Sequence, residues 1–134
     1  MDKQVVFDTS TWIIGFREDL GRALKECLER FLSEKRVVIT QLIILELLTG
    51  AKNQKEYAEL YEDLTALECI EITPEVWESA YKISFNLRRR GYAIPAVDTI
   101  IASLCLKHNF LLLHADRHYE LIKNYYHLHT QFIK

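Results

Sequence analysis

No stretch of this chain approaches the roughly 18 uninterrupted apolar residues that a membrane span requires. The opening MDKQVVFDTS lacks a long apolar core and a small-residue cleavage site, so no secretory signal is read and the cytoplasm is the expected compartment. Two prolines and four glycines leave few interruptions, and there is no repeat, low-complexity tract or linker. Cysteine is scarce as well. Cys27, Cys69 and Cys105 are odd in number, far apart and form no C-x-x-C pair, which argues against a zinc or redox motif. Buried, reduced thiols are the expectation for all three. A large excess of positive charge is also missing. The formal net charge is −2, unlike a protein that coats nucleic acid. Any nucleic-acid site must therefore be local, or helped by metal ions or a partner.

What is present is a well-supplied core. Apolar residues make up 49% of the 134 positions and charged residues 27%, which suits one compact domain over residues 1–134. Short β-branched or apolar runs at 3–7, 36–39, 69–72 and 110–113 read as strands, with a last edge strand over 127–132. Between them lie helical patterns at 9–16, 20–33, 41–49, 54–67, from Pro74 to the Arg88-Arg89-Arg90 cluster before Gly91, at 98–108 and at 117–124. Thr40 is placed to cap the third helix and Gly50 to end it. In the fourth helix Tyr57, Leu60, Tyr61, Leu64 and Leu67 share one face. Apolar strands alternating with helices predict an α/β fold, a mostly parallel sheet of roughly five strands between helical layers. Ligands in such folds sit outside the carboxyl ends of the strands.

That rule singles out four acids. Asp8 directly follows the first strand, and Asp116 follows the fourth by two residues. Asp98 opens the helix that feeds the fourth strand, which puts it at the same edge if the crossover is right-handed. Glu46 lies within Leu42-Ile-Ile-Leu-Glu-Leu-Leu48, where an unpaired carboxylate is costly if buried. Each of the aspartates also has a plain structural role open to it, as a helix cap or turn residue. Together, four converging carboxylates need a counter-charge. Two like charges ~4 Å apart repel by roughly 4 kcal/mol at an effective dielectric near 20. Hard oxygen ligands suit Mg²⁺ or Mn²⁺, and Mg²⁺ commonly meets phosphate oxygens, which points to phosphodiester chemistry.

At these residues the chain resembles the PIN-domain ribonucleases of the VapC toxin type. The matching pieces are Val6-Phe-Asp-Thr-Ser10, Ile44-Leu-Glu-Leu-Leu-Thr-Gly50, Gly91-Tyr-Ala-Ile-Pro-Ala-Val-Asp-Thr-Ile-Ile-Ala102 and Leu111-Leu-Leu-His-Ala-Asp-Arg-His-Tyr119. They fall in the family's order and span nearly the whole chain. The resemblance implies a PIN-like three-layer fold and a Mg²⁺- or Mn²⁺-dependent endoribonuclease, the toxin of a toxin–antitoxin pair. It implies metal ligation by Asp8, Asp98 and Asp116, with Glu46 direct or through water, and Ser10 and Thr99 hydrogen-bonded to the acids they follow. A homodimer and a cognate antitoxin are implied as partners. Two positions depart from the pattern. The family usually has Thr or Ser where His114 stands, and often a second acid where His118 stands, which weakens a second metal.

Arg117 is the cation nearest the expected site and the first candidate for RNA phosphate. His118 is read as facing water, with phosphate contact as the functional option. Arg88, Arg89 and Arg90 favour the C-terminus of their helix and are further candidates for the RNA backbone. Trp12 and Phe16 are expected in the core or at a dimer contact, and Tyr125 and Tyr126 in packing. A non-catalytic PIN-like module binding RNA or protein remains the alternative. A phosphorylation receiver fits less well, because Asp8 stands alone after the first strand and His114-Ala-Asp116 occupies the place of its late lysine.

Overall fold

The computed structural model describes residues 3–17 and 19–133. The element order is β1 (Val5–Phe7), α1 (Thr9–Gly15), α2 (Arg22–Ser33), β2 (Val37–Ile39), α3 (Gln41–Thr49), α4 (Gln54–Thr65), β3 (Glu68–Cys69), α5 (Pro74–Arg89), α6 (Ala96–His108), β4 (Leu111–His114), α7 (Arg117–Lys123) and β5 (His129–Phe132). The five strands form one sheet in the order β3-β2-β1-β4-β5, and every neighbouring pair is parallel. The expected α/β architecture is thus present, with a sheet that is wholly rather than mostly parallel.

The three inner strands are short because each is buried on both faces, and three or four apolar residues suffice to cross the core. Alternation along the strands divides two cores. Val6, Val38 and Leu112 face one cluster, completed by Ile43 and Leu47 of α3, Leu64 of α4, Ile83 and Leu87 of α5, and Ile101 and Cys105 of α6. Val5, Phe7, Val37 and Leu113 face the other, closed by Leu28 of α2 with Leu24, Phe31 and Trp12 beside it. Two-residue β3 and mostly exposed β5 form the edges, which limits the bare backbone offered to other chains.

Several local expectations are corrected. Thr40 occupies the N-cap of α3 but its hydroxyl makes no capping bond, and its buried Oγ1 lacks any partner. On α4, Leu64 is buried and Leu60 half-buried, whereas Tyr57 and Tyr61 are exposed and stack at 6.2 Å. Of the three free thiols, only Cys105 is buried; Cys27 is half-buried and Cys69 exposed on an edge strand. Trp12 does pack against the core, edge-on to Phe7 at 5.2 Å, whereas Phe16 is outside the core and largely exposed.

Gly91 matters because it opens the loop from α5 towards Asp98. Its φ of +94° is a conformation that side-chain-bearing residues disfavour. By contrast, Gly50 ends α3 at φ −83°, where any residue fits. Gly91→Ala should destabilise the chain by about 1–2 kcal/mol, lowering Tm by roughly 3–6 °C. Gly50→Ala should leave it unchanged or slightly raised. Thermal unfolding of the two variants beside the parent checks this, and equal effects would remove the role assigned to the Gly91 backbone.

Candidate metal centre

In the strand order 3-2-1-4-5, successive connections run outward in opposite directions from the β1–β4 pair. The crevice beyond the carboxyl ends of those two strands is the topological switch point. Asp8 follows β1 there and Asp116 follows β4. Both are N-caps as well: an Asp8 oxygen accepts from Ser10 N at 3.0 Å, and an Asp116 oxygen from His118 N at 2.9 Å. Capping therefore fixes the direction of both carboxylates. Asp98 sits in the first turn of α6, whose N-cap is Pro95, so it is not the cap of its helix.

Asp8 is 6% exposed and heavily bonded. Its Oδ1 accepts from the Tyr119 hydroxyl at 2.6 Å, and its Oδ2 accepts from the Ser10 hydroxyl at 2.5 Å. The same Ser10 oxygen accepts from Ala115 N at 3.0 Å, tying the ends of β1 and β4 together. Burial, with Asp8 adjacent, pushes the Tyr119 phenol well up, so it stays a donor. The hydroxyl of Ser10 thus behaves as expected. That of Thr99 does not: it accompanies Asp98 in sequence but bonds back to the Pro95 carbonyl at 3.2 Å, as hydroxyls inside helices often do.

The tightest grouping is Asp98, Asp116 and His118. One ligand atom from each lies within 4.8 Å of the others. His118 Nδ1 stands 2.8 Å from Asp116 Oδ1 and 3.2 Å from Asp98 Oδ2. Yet Nδ1 and Asp98 Oδ2 are buried atoms without a hydrogen-bond partner among the described residues. Hydrogen bonding leaves this corner unsatisfied, and a cation is what such a donor set fits. His118 was expected to face water; its ring nitrogen instead points at the carboxylates. Asp8 and Glu46 are not in this close set. Glu46 is exposed on α3, where it accepts from the Thr9 hydroxyl at 2.7 Å. Its apolar neighbours misled, because Leu45 beside it is also largely exposed.

Electrostatics tell the same story. Burial, then the adjoining Asp116, then Asp8 and Glu46 push the Asp98 carboxyl up to about 8. Partial burial pushes Asp116 up too, but its contact with Asp98 and the bond from His118 N outweigh this and hold it below the usual range.

Behind the centre, His114 is fully buried. Its Nδ1 accepts from Asp116 N at 3.2 Å, so Nε2 carries the proton and faces Glu120 at 2.9 Å. Thr130 of β5 donates to the same Glu120 oxygen at 2.7 Å. Among the cations, Arg117 is exposed at the first position of α7. Arg88 and Arg89 close α5, with Arg89 over Phe85 at 5.7 Å, while Arg90 lies over Tyr125 at 4.6 Å.

Comparison with known proteins places this geometry. The model of the PIN domain matches residues 5–125. The chain belongs to the PIN domain family. A VapC ribonuclease of Mycobacterium bovis is 27% identical over 122 residues, covering 88% of this chain and 90% of the relative. Among solved structures, the DNA-bound VapBC from Salmonella typhimurium superposes with a TM-score of 0.79 at 19% identity, covering 98% of each chain. A member of the VapBC family of toxin–antitoxin systems, VapBC-5 from Mycobacterium tuberculosis, gives 0.69 at 16% identity, covering 98% of this chain and all of the other. These structures share the PIN-like fold.

Two outcomes follow for the site. Tyr119→Phe leaves the buried Asp8 oxygen short of a donor and should cost about 1–3 kcal/mol, read as a Tm fall of several degrees. Asp98 holds its proton more tightly folded than unfolded. In chelator, stability should therefore decline as pH rises from about 4 towards 8, the folded-state value. Asp98→Asn removes that decline, so it should raise Tm most at alkaline pH. Cation binding must displace the Asp98 proton and should strengthen with pH until about 8. Cation affinity that is flat across this window would count against the shared site.

Proposed function

We propose that this chain is a Mg²⁺- or Mn²⁺-dependent endoribonuclease, the toxin component of a toxin–antitoxin pair. The observation that carries the reading is the unsatisfied corner formed by Asp98, Asp116 and His118 at the switch point of the sheet. The similarity to the Mycobacterium bovis relative, which is named a VapC ribonuclease, supports it. In this reading a cognate antitoxin and a second copy of the chain are the protein partners, RNA is the substrate and the cytoplasm is the place of action.

A divalent cation bound here would supply Lewis-acid charge to a phosphodiester and lower the pKa of a water for in-line attack, with no covalent enzyme intermediate. Asp98, Asp116 and His118 would hold it. Asp8 is the further carboxylate of the shell: its Oδ1, oriented by the Tyr119 hydroxyl, keeps lone-pair capacity, while Oδ2 is taken up by the Ser10 amide and hydroxyl. Glu46, anchored by Thr9 at the solvent-exposed rim, reaches the centre through water and can accept a proton there. Thr99 acts only by fixing the first turn of α6. Arg117 at the exposed start of α7 contacts phosphate, and Arg88, Arg89 and Arg90 extend the cationic path for the RNA backbone.

Purified protein with Mg²⁺ or Mn²⁺ should cleave single-stranded RNA drawn from a broad pool. Asp8→Asn and Asp98→Asn should each lower the rate by at least about 100-fold without lowering Tm in chelator in the Asp98 case. If no RNA is cut with either cation, the chain is a PIN-like binding module rather than an enzyme.

A further inference from the structure

We infer that His118 is a direct nitrogen ligand of the cation and makes this centre select a first-row transition-metal ion over Mg²⁺. The inference rests on the cation site proposed above and adds its ligand set and selectivity.

Three observations lead to it. First, His118 Nδ1 is the ring atom placed among the carboxylates, 2.8 Å from Asp116 Oδ1 and 3.2 Å from Asp98 Oδ2. Second, neither approach is a hydrogen bond: Nδ1 and Asp98 Oδ2 are both buried and both lack a partner among the described residues. A histidine that only neutralised the acids would be expected to donate to one of them. Third, the backbone that carries the ring is held in place, with the side chain itself 44% exposed. His118 lies in the first turn of α7, and its own backbone N–H is bonded to Asp116 Oδ1 at 2.9 Å. Its neighbour Tyr119 is wholly buried and fastened to Asp8.

The chemistry of the donor set then decides the ion. Mg²⁺ favours oxygen ligands and retains its waters, whereas imidazole suits the later first-row metals such as Fe, Ni, Cu and Zn, with Mn²⁺ between the two classes. Two carboxylates with one imidazole thus shift preference away from Mg²⁺. An acid at position 118 would shift it back. Electroneutrality agrees, since a neutral imidazole adds a ligand without a further negative charge beside Asp8, Asp98 and Asp116.

The test is pulsed electron paramagnetic resonance on the full-length chain loaded with Mn²⁺. A directly bound imidazole gives ¹⁴N modulation of the Mn²⁺ signal; labelling the histidines with ¹⁵N should replace it with the ¹⁵N pattern, and His118→Ala should abolish it. Titration should show Mn²⁺ bound at least about tenfold more tightly than Mg²⁺, a ratio that His118→Asp lowers toward the oxygen-only preference. Mn²⁺ bound through Asp98 and Asp116, without nitrogen modulation in the parent chain, overturns the inference and leaves the cation site standing. No Mn²⁺ or Mg²⁺ binding at all overturns the site itself. Because the decisive spectrum is that of the parent protein, the result does not depend on any variant folding.

Discussion

β1 and β4 lie side by side in parallel register and end under the same crevice, and the rest of the molecule answers to the charge that this adjacency concentrates. Strand ends of a parallel sheet invite acids, because the following helix wants an N-cap and carboxylates serve well. Here two such caps and a first-turn aspartate meet. Each is accommodated differently. Asp8 is satisfied by hydroxyl and amide donors, Asp116 by the first turn of its own helix, and Asp98 by retaining a proton. A single solution for all three would need more donors than one crevice can hold.

The bonding behind the crevice shows why the arrangement is rigid. His114 links the last residue of β4 to the backbone of Asp116, to Glu120 on α7 and, through Glu120, to Thr130 on β5. Its ring also packs against Tyr119 at 5.1 Å and Phe132 at 5.3 Å. A Thr or Ser here could satisfy the Asp116 amide but is too short to span to Glu120 as well. The larger residue therefore does two jobs, fixing the Asp116 turn and holding an edge strand that has little apolar area with which to hold itself. Partial burial pushes Glu120 up, but the bonds from Thr130 and His114 hold its carboxyl below the usual range, as suits an acceptor charged in the fold.

Positions fixed by chain direction are legible in the sequence. Asp8 and Asp116 follow apolar strands directly, and the handedness of the crossover brings Asp98 to the same edge, so all three could be placed from local pattern and one topological rule. Positions that depend on which way a side chain turns are not. The apolar neighbours of Glu46 argue against an exposed position, yet residues adjacent along a helix point about 100° apart. Ile43 and Leu47, four apart, define the buried stripe, and Leu45 and Glu46 fall off it. For the same reason Thr99 points away from Asp98. Nothing in sequence marks the His118 ring, part exposed, as folding its Nδ1 back on its own helix cap. Tyr119 carried a usable signal, its three-residue spacing from buried Ile122, but its hydroxyl partner lies 111 positions away.

In the proposed reading, a centre that leaves its own buried atoms unsatisfied couples cation binding to folding. A ligand that binds only the folded state adds about 2.7 kcal/mol at a hundredfold excess over its Kd, a large fraction of the margin of an ordinary domain. The consequence is a reversal of sign. Without the ion, replacing an acid at the crevice relieves repulsion and desolvation; with it, the same replacement removes a ligand and forfeits the linkage. Stability measured in chelator and stability measured in metal should therefore rank Asp98 variants in opposite orders. An acidic cluster serving only as helix caps would show no such reversal, since a cap contributes equally in both conditions.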